Sequence, residues 1–266
     1  MSDLSALFSR LRQKGEAALI PFVTAGDPHL DQLPAILATL AAGGADAIEV
    51  GIPFSDPIAD GPTIQAASQR ALDRGVTPGA VLEMLHQGPR PGVPLILMGY
   101  YNPILRRGLE PFADAARAAG ASATIVSDLN PEESGEWRLA SERAGLDTIF
   151  LVAPTSTPER VGYVAEHSSG FLYAVSRTGV TGAGSQVPSQ VREVVASVRA
   201  QSEIPVCVGF GISWPEHVQM VSEFADGAII GSSLVEFLAE SWDNGQGAAR
   251  LEQKISELKA ATRRAS

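Results

Sequence analysis

The chain of 266 residues lacks several features that mark particular classes of protein. Cys207 is the only cysteine, so no disulfide can form within the chain. No apolar run approaches the roughly 20 residues that a membrane-spanning helix needs. The opening segment, MSDLSALFSRLRQKGE, alternates charged and apolar residues at helical spacing and has no continuous apolar core of a signal peptide. Together these features predict a protein of the reducing cytoplasm.

Lysine and histidine are scarce where some catalytic mechanisms would need them. The lysines occur only near the two ends of the chain, at Lys14, Lys254 and Lys259. A Schiff-base lysine is therefore not expected in the central repeats. The histidines never pair at metal-ligand spacing, so we expect no metal site and no metal-dependent aldolase. Cys207 lies inside the apolar run IPVCVG, which favours an inert core position.

Acidic residues outnumber basic residues by 30 to 20, which gives a net charge of -10. A protein of this charge is repelled by nucleic acid and by anionic membranes, so neither is an expected partner. The apolar fraction of 45% is sufficient for a large core.

Short apolar runs with strand character recur along the chain. They lie at 18–24, 46–50, 94–99, 123–127, 147–152, 170–175, 204–209 and 226–230. Most of the intervening segments have helical periodicity, which indicates parallel strands joined by helices. Eight such repeats predict an α/β protein with a closed (β/α)8 barrel, the TIM barrel, in a single domain spanning 1–266.

An open doubly wound sheet is the alternative fold. It is less favoured because no GxGxxG motif follows the first strand and the repeat continues through both halves of the chain. The interval between the second and third strands is unusually long, which predicts an additional helix there. We also expect an extra helix at the amino terminus and a terminal helix after the eighth repeat.

Two carboxylates lie close together in the segment IEVGIPFSDPIADGPTIQ, residues 48–65. Glu49 occupies a strand end between Ile48 and Val50, where burial would raise its pKa and suit it to acid–base catalysis. Alternatively, Glu49 points outward and pairs with an arginine on a helix. Asp60 lies in a polar loop, where it would stay charged or cap the next helix. Two acids with separated pKa values are typical of acid–base catalysts.

Glycine-rich turns follow the last three predicted strands. SRTGVTGAG, at 176–184, could contact an anion and act as a lid, or be a plain flexible loop. GFGIS at 209–213 and GSS at 231–233 are each expected to open a helix, which predicts a phosphate site. Large side chains near strand ends could form an apolar pocket beside the acids or simply pack in the core: Phe22, Met98, Tyr100, Ile125, Leu151 and Tyr173.

Several segments together closely resemble the tryptophan synthase alpha subunit family. They are PFVTAGDP (21–28), EVGIPFSDPIADGPTIQ (49–65), MGYYNP (98–103), SRTGVTG (176–182), GFGIS and DGAIIGSS. The similarity runs from about residue 5 to residue 260. It implies a lyase that cleaves indole-3-glycerol phosphate to indole and glyceraldehyde 3-phosphate by retro-aldol chemistry, in the last steps of L-tryptophan biosynthesis. It also implies that this chain needs no cofactor.

The resemblance assigns roles to individual residues. Glu49 matches the acid–base group that protonates indole C3 and accepts the proton of the side-chain hydroxyl. Asp60 matches the carboxylate that engages the indole N–H. The positions that surround the indole in the family correspond to Phe22, Tyr100, Ile125, Leu151 and Tyr173. The phosphate and lid positions correspond to Thr181, Gly182, Gly211, Gly231 and Ser232.

The resemblance further implies a beta subunit that contains pyridoxal phosphate (PLP) and receives indole through a tunnel within an alpha2beta2 tetramer. The contact would involve the loops at 53–60, 102–103 and 128–133. Asn130 stands where the family usually has proline, and Ser127 where proline or alanine is common. Asn130 leaves this turn freer than proline would, which affects the expected allosteric coupling. A stand-alone indole-releasing lyase and a mainly regulatory subunit are the alternatives.

Overall fold

A parallel barrel forms the centre of this computed structural model, which describes residues 2–175, 189–209 and 211–264. Its strands are β1 (Ala18–Thr24), β2 (Ile48–Gly51), β3 (Leu95–Gly99), β4 (Ala121–Val126), β5 (Asp147–Ile149), β6 (Leu151–Val152), β7 (Leu172–Val175), β8 (Val206–Gly209) and β9 (Gly227–Ile230). Each strand pairs in parallel with its neighbours, and β1 also pairs with β9. The predicted eight strand regions are therefore confirmed.

The barrel closes through β5 and β6, which are two halves of one predicted strand separated at Phe150. β5 pairs with β4, whereas β6 pairs with β7. This single run thus joins the two ends of the strand order and produces a (β/α)8 TIM barrel. The open doubly wound alternative is wrong because its sheet would have free edge strands at this position.

Helices surround the barrel in the order expected for alternating repeats. They are α1 (Asp3–Lys14), α2 (Leu33–Ala42), α3 (Pro62–Asp73), α4 (Pro78–Gln87), α5 (Tyr101–Arg107), α6 (Leu109–Ala118), α7 (Gly135–Ala144), α8 (Pro158–His167), α9 (Ser189–Arg199), α10 (Pro215–Ser222), α11 (Ser232–Ser241) and α12 (Ala248–Ala260). Two helices, α3 and α4, lie between β2 and β3, as the long interval predicted. The expected helices at both ends, α1 and α12, are also present.

The strands separate two apolar layers because successive side chains point to opposite faces. Ile48 and Val50 of β2 belong to the outer layer, together with Leu37 and Leu40 of α2. The intervening Glu49 is directed by the same alternation into the barrel interior. That interior is lined by apolar side chains, including Phe22, Ile96, Ile125 and Tyr173.

Helix α1 covers the amino-terminal mouth of the barrel. Ser2 caps this helix by accepting a hydrogen bond from the Ser5 N–H at 3.3 Å. Its buried face, which includes Leu4 and Phe8, joins the interior apolar cluster. Phe8 makes an edge contact with Phe171, with ring centroids 5.9 Å apart. None of the helices that the structure describes is long and apolar enough to cross a membrane.

Helix α12 is attached to the base of the barrel by Lys259. Its ammonium group lies 2.9 Å from an Asp46 carboxylate oxygen and 3.0 Å from a Glu16 oxygen. The same Asp46 oxygen accepts the N–H of Leu19 in β1 at 2.8 Å. The hydrogen bond from Lys259 lowers the pKa of Glu16. Charge pairing thus supplements apolar packing where the carboxyl-terminal helix meets the strands.

We predict that Lys259→Met destabilises the protein by about 2 kcal/mol, because charge-assisted hydrogen bonds to Asp46 and Glu16 are lost. Urea unfolding at pH 7 measures this change, and Arg106→Met, at an exposed position of α5, is the control. The folded-state pKa of Glu16 is depressed, so its contribution exists above the unfolded pKa and is lost as pH falls. The difference from the parent should therefore shrink towards pH 4. Equal losses in both variants would contradict the assignment.

Candidate active site

A cavity of about 340 Å³ opens at the carboxyl ends of the strands, where TIM barrels carry their chemistry. It is lined by Phe22, Glu49, Asp60, Gly61, Pro62, Thr63, Ile64, Met98, Tyr173, Gly211, Ser213, Trp214, Ile229, Gly231, Ser232, Ser233 and Glu236. A larger hollow of about 770 Å³ lies near the amino ends of β4 and β5. Its position, at the end of the barrel that usually serves stability, disfavours it as a catalytic site.

Glu49 is completely buried at the inner end of this cavity. In the parallel register it lies between Phe22 of β1 and Ile96 of β3. Both of its carboxyl oxygens lack a hydrogen-bond partner among the described residues. Burial, with a smaller contribution from the charge of Asp60, raises the pKa of Glu49 to about 8. The alternative of an outward-facing Glu49 paired with a helix arginine is therefore wrong.

Asp60 lies in the loop that connects β2 to α3 and is partly buried. The Tyr100 hydroxyl donates a hydrogen bond to its carboxylate at 3.1 Å and accepts the Ala59 N–H at 3.1 Å. Burial raises the pKa of Asp60 to about 6, although the Tyr100 hydrogen bond acts in the opposite direction. At neutral pH Asp60 is mostly ionised while Glu49 is mostly protonated. The two pKa values are separated in the predicted order, but that of Asp60 is higher than an open polar loop would give.

A hydrogen bond from α3, and not a capping side chain, holds the loop that carries Asp60. Gly61 is the N-cap of α3, and no side chain caps this helix, so the predicted capping role of Asp60 is wrong. Gln65 instead donates to the backbone oxygen of Asp60 at 2.9 Å. One turn further along, Arg70 makes two bonds to the buried Asp27 carboxylate, at 2.9 and 2.6 Å. This pair anchors α3 to the end of β1.

The apolar side of the cavity contains some of the predicted indole-contacting residues. Phe22 and Tyr173 line it directly. Tyr100 lies beside it and contacts Asp60. Ile125 and Leu151 pack with the same apolar cluster, but neither is among the described residues that line this cavity. The structure therefore brings together three of the five predicted residues around the acids.

Residues of the two predicted phosphate turns also line the cavity. Gly231 is the N-cap of α11, so the first N–H groups of that helix, at Ser232 and Ser233, are available to an anion. The Ser233 hydroxyl is buried without a hydrogen-bond partner among the described residues. Gly211 has a positive φ of 76°, a conformation that glycine adopts without strain. The predicted lid and phosphate residues Thr181 and Gly182 lie outside the described residues.

One expectation for the phosphate turns is wrong. The turn at 209–213 does not itself open a helix, because α10 begins later, at Pro215, with Trp214 as its N-cap. Proline also removes the N–H group at that first helical position. Of the two predicted turns, the one at 231–233 is therefore the one that presents a helix amino terminus to the cavity.

Three further cavity residues were not predicted from the sequence. The Thr63 hydroxyl donates to the Glu236 carboxylate at 2.9 Å, which joins α3 to α11 at the cavity wall. Trp214 contributes an aromatic surface at the mouth and is 43% exposed. Trp214 lies in the loop after β8, whereas Thr63 and Glu236 lie within α3 and α11, where no pattern in the sequence marked them. The described part of the chain contains no group of three or more His, Cys, Asp or Glu side chains placed to hold a metal ion.

The arrangement combines a protonated acid, an ionised carboxylate, an apolar surface and a helix amino terminus around one cavity. Such a site can protonate an aromatic ring, stabilise the resulting positive charge and hold an anionic group at a distance from the reacting carbon. A phosphorylated aromatic compound therefore has the chemical features that this cavity would accommodate.

Sequence comparison finds relatives described as tryptophan synthase alpha chains. A model of the family described as tryptophan synthase alpha chain matches residues 8–263. The tryptophan synthase alpha chain of a Geobacter strain is 48% identical over 254 residues, covering 95% of this chain and 94% of the relative. That of a Synechocystis strain is 47% identical over 263 residues, covering 98% and 99% of the two chains.

Solved structures give the same relationship. Tryptophan synthase of Mycobacterium tuberculosis matches with a TM-score of 0.90 and 42% identity, covering 99% of each chain. The alpha subunit of tryptophan synthase from Legionella pneumophila matches with a TM-score of 0.89 and 35% identity, covering 98% of each chain. Because nearly the whole chain matches in both sequence and structure, the protein belongs to the tryptophan synthase alpha chain family.

Proposed function

We propose that this chain is a carbon–carbon lyase that cleaves indole-3-glycerol phosphate into indole and glyceraldehyde 3-phosphate, as the alpha subunit of tryptophan synthase. Family membership supports the reaction. The observation that carries it is the pair of acids: Glu49, buried and protonated at neutral pH, shares a cavity with the ionised Asp60. The retro-aldol reaction requires an acid and a stabilising anion of this kind.

The first step is protonation of the indole ring. Glu49 donates its proton to indole C3, which places positive charge on the ring and its nitrogen. Asp60 accepts the indole N–H and stabilises that charge in a cavity whose surface is largely apolar. Tyr100 helps to keep Asp60 ionised by donating a hydrogen bond to its carboxylate.

The second step breaks the carbon–carbon bond and restores the catalyst. The Glu49 carboxylate accepts the proton of the hydroxyl next to the ring, the new carbonyl forms, and the bonding electrons return to the indole. One proton leaves Glu49 and one comes back, so substrate and products balance without any external acid. The proposed reaction therefore uses no cofactor in this chain.

The remaining cavity residues hold the substrate. Phe22 and Tyr173 would contact the flat indole, with Ile125 and Leu151 supporting that side from behind. Gly211, Gly231 and Ser232 would bind the phosphate through backbone N–H groups and a hydroxyl. We include Thr181 and Gly182 in this proposal as the lid and phosphate residues.

We propose a beta subunit that contains PLP as the partner, in an alpha2beta2 tetramer. Exposed apolar side chains near the carboxyl mouth of the barrel support this contact. Ile58, in the loop at 53–60, is 80% exposed, and Leu105 of α5 is 54% exposed. Asn130 has φ -81° and ψ 152°, close to the conformation that proline prefers. The backbone there is thus shaped as in a proline-containing turn, although asparagine does not lock it.

We predict that Glu49→Gln lowers kcat for indole release by about 10³-fold, because the proton donor is lost. Asp60→Asn should lower it by about 10²-fold, because the charge on the ring is no longer stabilised. Indole release is measured for the purified chain alone and with a beta subunit, and the exposed Glu240→Gln in α11 is the control. If both acid variants kept the parent rate, the proposed function would be wrong.

The same experiment separates the alternatives. High activity without a beta subunit would favour a stand-alone lyase. Negligible activity in both conditions, together with activation of the beta reaction, would favour a regulatory subunit.

The pH dependence of kcat/KM for indole release should be bell-shaped. Activity should rise through about pH 6 as Asp60 ionises and fall through about pH 8 as Glu49 loses its proton. Tyr100→Phe removes a hydrogen bond that lowers the pKa of Asp60, so its acidic limb should move to higher pH. An acidic limb that stays in place would contradict the role given to Tyr100.

A further prediction tests the burial of Glu49 independently of catalysis. Its folded-state pKa of about 8 lies above the ordinary glutamate value of 4.5, so between these two pH values the folded protein holds a proton that the unfolded chain has lost. Stability from this group is complete at low pH and is lost as pH rises towards 8. The difference in stability between Glu49→Gln and the parent should therefore move in favour of the variant between pH 5 and pH 9. Thermal unfolding at the two pH values measures this change. A difference independent of pH would show that Glu49 is not buried as an acid.

A further inference from the structure

The cavity has little positive charge to receive a phosphate group. Three carboxyl groups line it, those of Glu49, Asp60 and Glu236, but the described lining residues include no lysine or arginine. Glu236 belongs to the same helix, α11, whose amino terminus is the proposed phosphate site. A phosphate dianion approaching that helix therefore meets negative charge at the mouth of the cavity. A compensating cation close to the mouth would favour its entry.

Lys254 of α12 is placed to provide such a charge. Its ammonium nitrogen lies 5.7 Å from the ring centroid of Trp214, within the range of a cation–π interaction. Trp214 in turn lines the cavity next to Ser213 and Gly211. The backbone of Trp214 is fixed, because it is the N-cap of α10 and its carbonyl accepts the His217 N–H at 3.0 Å. The ring therefore links Lys254 to the phosphate side of the site.

The charge of Lys254 is also uncommitted, unlike that of its neighbour Lys259. Lys259 is paired with Asp46 and Glu16, as described above. Lys254 forms no ion pair with any carboxylate that the structure describes. It is only partly exposed, so salt would screen its field less completely than that of a fully solvated lysine.

We propose that Lys254, held over Trp214, attracts the phosphate group of the substrate to the mouth of the cavity and so strengthens binding of the phosphorylated substrate. This inference rests on the proposed function. Lys254 is a positioning residue that does not touch the reacting carbon. Lys254 acts on the phosphate before the N–H groups of α11 bind that group. Its removal therefore affects KM and leaves the chemical step unchanged.

The test compares kinetics of indole release at low and high ionic strength. Lys254→Gln should raise KM several-fold at low salt, leave kcat essentially unchanged, and flatten the salt dependence of kcat/KM. Lys254→Arg should keep KM and kcat close to the parent values, since arginine keeps the charge and stacks on aromatic rings. Arg250→Gln removes a charge from the same helix one turn away and should have little effect. Equal effects of Lys254→Gln and Arg250→Gln would overturn the proposal.

A double-mutant cycle tests the part played by Trp214. If the ring holds Lys254 in place, Trp214→Ala and the double variant Trp214→Ala with Lys254→Gln should have similar KM values. Fully additive effects of Trp214→Ala and Lys254→Gln would show that the two side chains act separately and would remove Trp214 from the proposal.

A binding measurement keeps the inference separate from the proposed reaction. Inorganic phosphate is titrated into the parent, Lys254→Gln and Arg250→Gln and followed by NMR. Several-fold weaker phosphate binding in Lys254→Gln alone would support the inference. If the parent also released no indole, the proposed function would be wrong but the inference would still hold. Equal phosphate affinity in all three proteins, together with normal indole release by the parent, would overturn the inference and leave the function intact.

Discussion

The burial of one carboxyl group inside a closed barrel is the constraint on which the site depends. Glu49 lies among the apolar side chains of the interior layer, and the described residues offer neither of its oxygens a hydrogen bond. An ionised carboxylate is unstable there, so the group stays protonated at neutral pH. Apolar contacts elsewhere in the barrel core stabilise the fold and offset the cost of burying this one carboxyl group in β2. The burial of Glu49 costs stability, and the same burial keeps Glu49 protonated so that it can act as an acid.

The first acid also depends on the second through their shared cavity. The charge of Asp60 contributes to the raised pKa of Glu49, while Asp60 keeps its own charge with help from Tyr100. Its loop is fixed at one end by β2 and at the other by α3, which Arg70 anchors to Asp27. Separate pKa values thus follow from different degrees of burial and different hydrogen bonding in a rigid frame.

Much of the fold and part of the site could be predicted from the sequence. The apolar runs marked all the strand regions, and the long second interval marked the pair α3 and α4. The assignments that were wrong concern local polar contacts: Asp60 does not cap α3, and the turn at 209–213 does not open a helix. Contacts between distant segments, such as Thr63 with Glu236 and Lys254 with Trp214, leave no pattern in the sequence because their partners meet only after folding.

The sequence by itself determined the alternation of strands and helices, because burial on both faces of parallel strands requires continuous apolar runs. It also determined that Glu49 lies in a strand and that Asp60 follows in a loop, although β2 continues past Glu49 to Gly51. Only the tertiary structure decided that Glu49 points inward, since the choice of face depends on how β2 pairs with β1 and β3. Closure of the barrel then placed the acids, the apolar surface and the amino terminus of α11 around one cavity, which no local segment could specify.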